Sequence, residues 1–274
     1  MQASSANAGV AIAVAQFAPI NDAGDNLETM RSLAEAAVAR GARLVVFPEY
    51  SSYFEAQLGQ GFVDAAQPID GPFITGVRAL AAALDIHIVV GLVEQTSESS
   101  RFSNTLVALS PAGDILATYR KLHLYDAFGE QESAWVLPGE IGVPQVFSFE
   151  GFTVGLQTCY DLRFPEVTRR LVDAGATLVL VPSEWVRGPL KEHHWRTLAV
   201  ARALENTIYL AAADHSPPIG VGNSMIVDPM GVELATVGEV VDVAVATISP
   251  DRIASVRLLN PALALRRFEV IPRA

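Results

Sequence analysis

Residues 153–166 read TVGLQTCYDLRFPE. Thr153–Gln157 is apolar and β-branched enough for a buried strand. Glu150-Gly151 before it reads as the turn of a hairpin whose other arm is Val146–Phe149. Pro165 suits the first position of a helix that runs to Ala174, and Thr177–Val181 (TLVLV) returns as a strand without a polar face. Between the first strand and the helix stands Cys159, just past the strand's C-terminal end. A strand apolar on both sides needs cover on both sides, so the unit predicts a sheet with helices packed on it.

The same alternation extends in both directions. Upstream, Val10–Phe17 reads as a buried strand, Asp25–Arg40 as a helix ending at Gly41, and Arg43–Phe47 (RLVVF) as a short strand ended by Pro48. Gly71-Pro72 opens a helix through Leu84, Ile86–Val93 is a strand, and Phe102–Leu109 and Ile115–Tyr119 flank a turn at 111–114. Downstream come a helix at Lys191–Glu205, a strand at Ile208–Ala213 and two hairpin strands around Asp228-Pro229-Met230-Gly231. Strand–helix–strand units mixed with hairpins imply an α/β chain with one mixed sheet, or two, and helices outside. No repeat, linker or low-complexity tract interrupts the pattern, so a single domain over 10–274 is expected, behind a loose polar start at 1–9.

Composition narrows the function. The 274 residues are 50% apolar and carry a formal charge of −11, which disfavours nucleic acid or an anionic membrane as partner. No apolar run reaches the ~18 residues of a membrane span. The start MQASSANAG lacks a signal-peptide pattern, which makes the cytoplasm the default expectation. Cys159 is the one cysteine, so neither a disulfide framework nor a cysteine-rich zinc site forms within one chain. The chain has no G-x-S-x-G, no P-loop and no H-E-x-x-H, and Gly220-Val221-Gly222 leads into Asn-Ser-Met rather than a dinucleotide fingerprint. His193 and His194, adjacent on a helix, point different ways and are not a metal pair. No metal and no cofactor is expected.

Three reactive residues share one context. Glu49 follows RLVVFP, Lys121 follows ILATYR and Cys159 follows TVGLQT, each beyond the C-terminal end of an expected strand, where open α/β sheets place their sites. Their chemistry is coherent: a carboxylate takes the thiol proton, the thiolate attacks, and an ammonium stabilises the oxyanion. The same residues also have plain readings, as a packed thiol and two loop charges.

VVFPEY (45–50), YRKLHLYD (119–126) and CYDLRFPE (159–166), with Glu49, Lys121 and Cys159 spaced 72 and then 38 residues apart, resemble the three signature blocks of the nitrilase superfamily of carbon–nitrogen hydrolases. The resemblance implies a four-layer α-β-β-α sandwich with two mixed sheets. It implies Glu49 as general base, Lys121 as oxyanion stabiliser, Cys159 as nucleophile and the Tyr160 N–H as the second oxyanion donor. It also implies a second glutamate bordering the site, assigned to Glu132 from its E-S…P-G setting, with Glu130 as the other candidate.

CYDLRFPE looks most like the amidase branches that act on short ω-amides, including the omega-amidase and deaminated glutathione amidase groups. The expected reaction is hydrolysis of a short carboxylic amide to acid and ammonia through a thioester. True nitrilases usually carry Trp-Glu after the cysteine, where this chain has Tyr160-Asp161. N-carbamoyl amino acid hydrolases are closer rivals, and a catalytically silent homologue acting as an interaction protein is the reading from another class. Arg163 is the candidate for a substrate carboxylate, with pairing to Asp161 or Glu166 as its alternative. Tyr53 and Phe54 are candidate pocket walls. Glu184 and Trp185, after TLVLVPS, are candidates to enter the same cleft, and an acid at 184 departs from the small or aromatic residues of omega-amidase-like sequences. The resemblance also implies a homodimer or higher homo-oligomer, and the tail Leu258–Ile271 is apolar enough to cross its boundary.

Overall fold

A computed structural model describes residues 9–272; all but Gly9 of the start expected to be loose lies outside them. In chain order the elements are β1 (Val10–Gln16), α1 (Ala23–Ala39), β2 (Leu44–Val46), α2 (Gln60–Ala65), α3 (Pro72–Leu84), β3 (His87–Glu94), β4 (Ser103–Leu109), β5 (Ile115–Arg120), β6 (Val146–Phe149), β7 (Phe152–Leu156), α4 (Pro165–Asp173), β8 (Leu178–Pro182), α5 (Lys191–Asn206), β9 (Tyr209–Ala213), β10 (Met225–Val227), β11 (Glu233–Thr236), β12 (Asp242–Ile248) and α6 (Pro250–Leu259).

Two six-stranded sheets form, ordered β12-β1-β2-β3-β4-β5 and β11-β10-β9-β8-β7-β6. Both are mixed. β1, β2 and β3 are parallel neighbours, as are β7, β8 and β9, and the flanking pairs are antiparallel. The period of two along each strand divides the apolar residues between layers. Ile12, Val14, Leu44, Val46 and Val89 point inward against Phe149, Phe152, Leu156, Leu178 and Leu180 of the other sheet. Their alternates Ala13, Val45, Phe47, Ile88 and Val90 face Met30 and Leu33 of α1 and Ile74 and Val77 of α3. Val179, Val181, Leu210 and Ala212 face Leu171 of α4 and Trp195 and Ala199 of α5. This is the four-layer α-β-β-α sandwich in a single domain.

The local chemistry explains the boundaries. Asp22 caps α1, accepting the N–H groups of Gly24 and Asp25 at 2.8 and 3.0 Å. The β6–β7 turn places Glu150 and Gly151 at φ 44° and 83°, the pair of left-handed residues that a two-residue hairpin requires. Three elements lie outside the sequence reading: α2, β12 and α6. Burial in β12 alternates imperfectly, and the strand is fixed by antiparallel pairing to β1 at the other end of the chain. Among the described residues, no helix is long and apolar enough to cross a membrane.

Because β2 and β5 run the same way in the first sheet, and β7, β8 and β9 the same way in the second, the C-terminal ends of five strands open onto one edge of the sandwich. That edge carries the chemistry.

Candidate active site

Glu49 follows β2 and is completely buried. The turn holding it lies against β3 at Gly91, where an added Cβ would fall 2.5 Å from the Tyr50 nitrogen and 2.8 Å from the Glu49 carbonyl carbon. Only glycine admits the approach. Tyr50 then adopts φ 57°, and the buried His215 ring, through Nε2, bonds the Glu49 carbonyl oxygen at 2.7 Å. Burial lowers the His215 pKa to about 4, so the ring is neutral and Nε2–H is the donor.

Lys121 leaves β5 and extends its ammonium between two carboxylates. Nζ donates to Glu49 Oε1 at 2.9 Å and to Glu132 Oε1 at 3.0 Å, and it lies 2.9 Å from Glu132 Oε2. All three side chains are 3% exposed or less. Burial alone pushes the Lys121 pKa down, but Glu132 and Glu49 together hold it well above the usual ammonium range. Four further donor groups converge on the two carboxylates. Tyr50 Oη–H donates to Glu132 Oε1 at 2.7 Å, the Tyr125 N–H to Oε2 at 2.5 Å, and Asn104 Nδ2 to Glu49 Oε1 at 2.6 Å and Glu132 Oε1 at 3.4 Å. The Glu184 N–H donates to Glu49 Oε2 at 2.6 Å. Glu132 Oε1 thereby receives three donors and Oε2 the Tyr125 N–H beside the Lys121 ammonium, whereas Glu49 Oε2 receives the Glu184 N–H alone. Two of the three Lys121 hydrogens are engaged, and the third is available to an oxyanion.

Cys159 opens a short 3-10 turn after β7 at φ 40°, a strained conformation that persists where the surroundings impose it. Its Sγ–H donates to the Glu184 carbonyl at 3.4 Å. Burial and then the charge of Glu49 push the thiol pKa well up, against a smaller opposing pull from Lys121; the resting group is the thiol. The Tyr160 N–H, next in the turn, belongs to the N–H groups that a helical start leaves without an intrahelical acceptor. Asp161, buried, accepts the Tyr119 hydroxyl at 2.6 Å, the His123 N–H at 3.0 Å and the Thr158 N–H at 3.2 Å. It ties the segment on both sides of Lys121 to the nucleophile turn.

Lys121, Glu132, Cys159, Tyr160, Arg163, Glu184 and Trp185 border one cavity of about 100 Å³, with Glu49 directly behind. Glu130 borders it too, but Glu132 is the one that holds Lys121. Arg163 forms no ion pair with Asp161 or Glu166; its guanidinium lies 4.8 Å from the Trp185 ring centre. Phe54 is at the wall, whereas Tyr53 is not. Its hydroxyl donates to Glu55 Oε1 at 2.6 Å and its ring packs edge-on against Phe62, because α2, unforeseen in the sequence, offers that apolar seat. Burial and the Glu49 charge push the Glu184 carboxyl well above the usual range. Asn104, Tyr50 and Lys191, which also borders the cavity, were missed by sequence reasoning. The one signal for Asn104 was an amide inside an apolar strand. A wider groove of about 1090 Å³, between the 137–145 loop, α4 and residues 270–272, does not reach Cys159. Among the described residues, no group of His, Cys, Asp and Glu is arranged to hold a metal ion.

The sequence profile of the family described as carbon-nitrogen hydrolase matches residues 11–258. The chain belongs to that family. A carbon–nitrogen hydrolase relative from Escherichia coli O157:H7, a deaminated glutathione amidase, is 40% identical over 263 residues, covering 94% of this chain and 97% of its own. A Mycobacterium tuberculosis hydrolase is 37% identical over 262 residues, covering 90% and 91%. Among solved structures, the C. elegans NitFhit protein superposes with a TM-score of 0.87 at 30% identity; the match spans 96% of this chain and 66% of that longer one. A point mutant of the amidase from Nesterenkonia sp. AN1, showing covalent addition of the acetamide moiety of fluoroacetamide at the active site cysteine, matches at TM-score 0.77 and 27% identity, covering 97% and 100%. The enzyme is thus a carbon–nitrogen hydrolase of amidase type, with neighbours that share its sandwich.

Proposed function

We propose that the protein hydrolyses a short carboxylic amide to the acid and ammonia through a thioester on Cys159. The observation that carries this reading is the Lys121 ammonium fixed between two buried carboxylates in the wall of the cavity holding the thiol. Glu49 takes the Cys159 proton as sulfur attacks the carbonyl carbon, since the raised thiol pKa leaves little standing thiolate. The oxyanion is held by the free Lys121 hydrogen and the Tyr160 N–H. Glu49 returns the proton to nitrogen, the C–N bond breaks, and ammonia leaves. Water then attacks the thioester while Glu49 accepts its proton; the acid is released and the proton returns to sulfur. Glu132, held by Tyr50, Tyr125 and Asn104, positions Lys121.

Arg163, without a carboxylate partner among the described residues, is the proposed anchor for an acid group on the substrate. A small cavity beside the about 300–1,000 Å³ of drug-sized sites favours a short acyl group, and the relatives named deaminated glutathione amidase support an amide rather than a nitrile. The free catalytic thiol suits the reducing cytoplasm. A homodimer or higher homo-oligomer is proposed because Leu258 and Leu259 are 85% exposed and Phe268 86%, an apolar face that a second copy would cover; a monomer by light scattering refutes it.

The test is product release from a panel of short amides, N-carbamoyl amino acids and nitriles, run beside Cys159→Ala. Ammonia from the amides, lost in the variant, supports the reading. Carbon dioxide released with ammonia assigns a carbamoylase. Turnover by Cys159→Ala refutes the thioester route.

A further inference from the structure

The cavity that holds Cys159 is bordered by two cations, Lys191 and Arg163, that form no ion pair among the described residues. Lys191 is 5% exposed, yet among the described residues it has no carboxylate within ion-pair distance. Its Nζ donates to the Tyr125 hydroxyl at 2.5 Å and sits 4.0 Å from the centre of the Phe128 ring and 4.7 Å from that of Tyr125. It is also the first residue of the 16-residue α5, where the helix dipole presents its positive end and a cation is disfavoured. The Trp185 indole N–H pins the Lys191 carbonyl at 2.9 Å, so the backbone cannot easily swing the ammonium away. Arg163 faces the same cavity, with a buried Nε that has no hydrogen-bond partner. Burial and the neighbouring guanidinium both lower the Lys191 pKa.

Local rules are broken where a ligand completes the site. Placing an ammonium against a helix start and a guanidinium is unfavourable in the empty enzyme and becomes favourable once an anion sits between them. Glu184 borders the cavity but makes no ion pair with either cation, and its burial beside Glu49 holds it toward the neutral acid. It therefore pairs with neither cation, and the raised pKa weakens its repulsion of an incoming carboxylate.

We infer that Lys191 is a specificity-determining residue, forming with Arg163 a two-cation subsite for a carboxylate that the substrate carries beyond its scissile carbonyl. This rests on the amidase reading and deepens it. The lysine, and not the arginine alone, separates amides of dicarboxylic acids from neutral amides of equal length. Carboxylate oxygens would receive the Lys191 ammonium and the Arg163 Nε–H, while Phe128 and Tyr125 keep water from screening the contact.

The experiment compares succinamate with butyramide, which share a four-carbon acyl chain and differ in the terminal acid. The wild-type enzyme is expected to favour succinamate in kcat/KM. Lys191→Met should lower that preference by at least about tenfold, Lys191→Gln should do the same while keeping a polar neighbour for Tyr125, and Lys191→Arg should recover part of it. A preference unchanged in Lys191→Gln and Lys191→Met, with both substrates slowed alike, makes the lysine structural and overturns the inference; so does a wild type that favours butyramide. A second readout is independent of turnover: succinate should protect the Cys159 thiol from iodoacetamide in the wild type and not in Lys191→Gln. If no amide is hydrolysed, the amidase reading fails, and succinate protection still decides the subsite: equal protection in both proteins, or none in either, refutes it.

Discussion

Replacing Lys121 by Met tests the charge arrangement at its centre. The substitution keeps an unbranched side chain of nearly the same volume, one heavy atom shorter, and removes one positive charge that is 3% exposed and contacts Glu49 and Glu132 at 2.9–3.0 Å. Two carboxylates are left side by side with only neutral donors: Asn104, Tyr50 and the Tyr125 and Glu184 N–H groups. Breaking a buried pair by removing one partner costs about 3–5 kcal/mol, and these donors put the expected cost at the lower end, about 3 kcal/mol. At roughly 2–3 °C per kcal/mol for a chain of this size, the melting midpoint falls by about 6–9 °C. Like charges this close raise the pKa of one carboxylate in the folded variant above its unfolded value. The folded variant then holds a proton that the unfolded chain loses as pH rises past ~4.3, so the deficit is small near pH 4 and grows with pH until the folded group also ionises. Lys121→Met/Glu132→Gln removes the repulsion, and most of the stability should return. Activity should not return, because the lost oxyanion donor is worth about 10²–10³ in kcat. The assays are urea unfolding at pH 5 and pH 7.5 and initial-rate ammonia release. A single variant within about 0.5 kcal/mol of wild type at pH 7.5, or a double variant no more stable than the single, refutes the reasoning.

Other outcomes follow from the same geometry. Cys159→Ala should abolish turnover and leave the unfolding curve close to that of the wild type. The iodoacetamide reaction of Cys159 should keep accelerating above pH 9, because the thiol pKa is raised, and Glu49→Gln should quicken alkylation at pH 8 while ending catalysis; a plateau near pH 7 in the wild type contradicts the thiol assignment. His215 holds a pKa of about 4 when folded against about 6.5 unfolded. The unfolded chain therefore binds more protons between these values, and stability falls as pH drops through the window, by up to about 3 kcal/mol. His215→Gln should flatten that slope in urea titrations at pH 7 and pH 5. Asp161→Asn keeps one acceptor and places an amide among the donors Tyr119, Thr158 and His123; kcat should fall about tenfold or more, with little change in KM.

Where sequence and structure agree, local signals set the outcome. RLVVFP, ILATYR and TVGLQT each read as a strand ending at a reactive residue, and strand direction carried all three to one edge. Turn chemistry at Glu150-Gly151 and Pro165 was equally local. What was not legible depends on remote partners. The β12 strand exists through pairing with β1, over two hundred residues away in sequence. Tyr53 turned from the pocket because α2 supplied a different apolar seat. Asn104 is one amide in a strand until Glu49 and Glu132 arrive at either side, and Lys191 looked like an ordinary helix-start lysine because nothing in the sequence places it beside Arg163.

The division of the site between two sheets has a mechanical consequence. Glu49 and Lys121 stand on one sheet, Cys159 and Glu184 on the other, and the separation between base and sulfur is set by the thickness of the apolar layer that keeps the sheets apart. Phe149, Phe152, Leu156 and Leu180 act as spacers, and the reaction reads their size as a gauge block is read. A truncation such as Leu180→Ala, far from any substrate, would let the sheets settle together or tilt, and a shift of about 1 Å can cost about a hundredfold in rate. Catalytic tolerance is thus written into the interior, and the rate would register a loosened core before unfolding did.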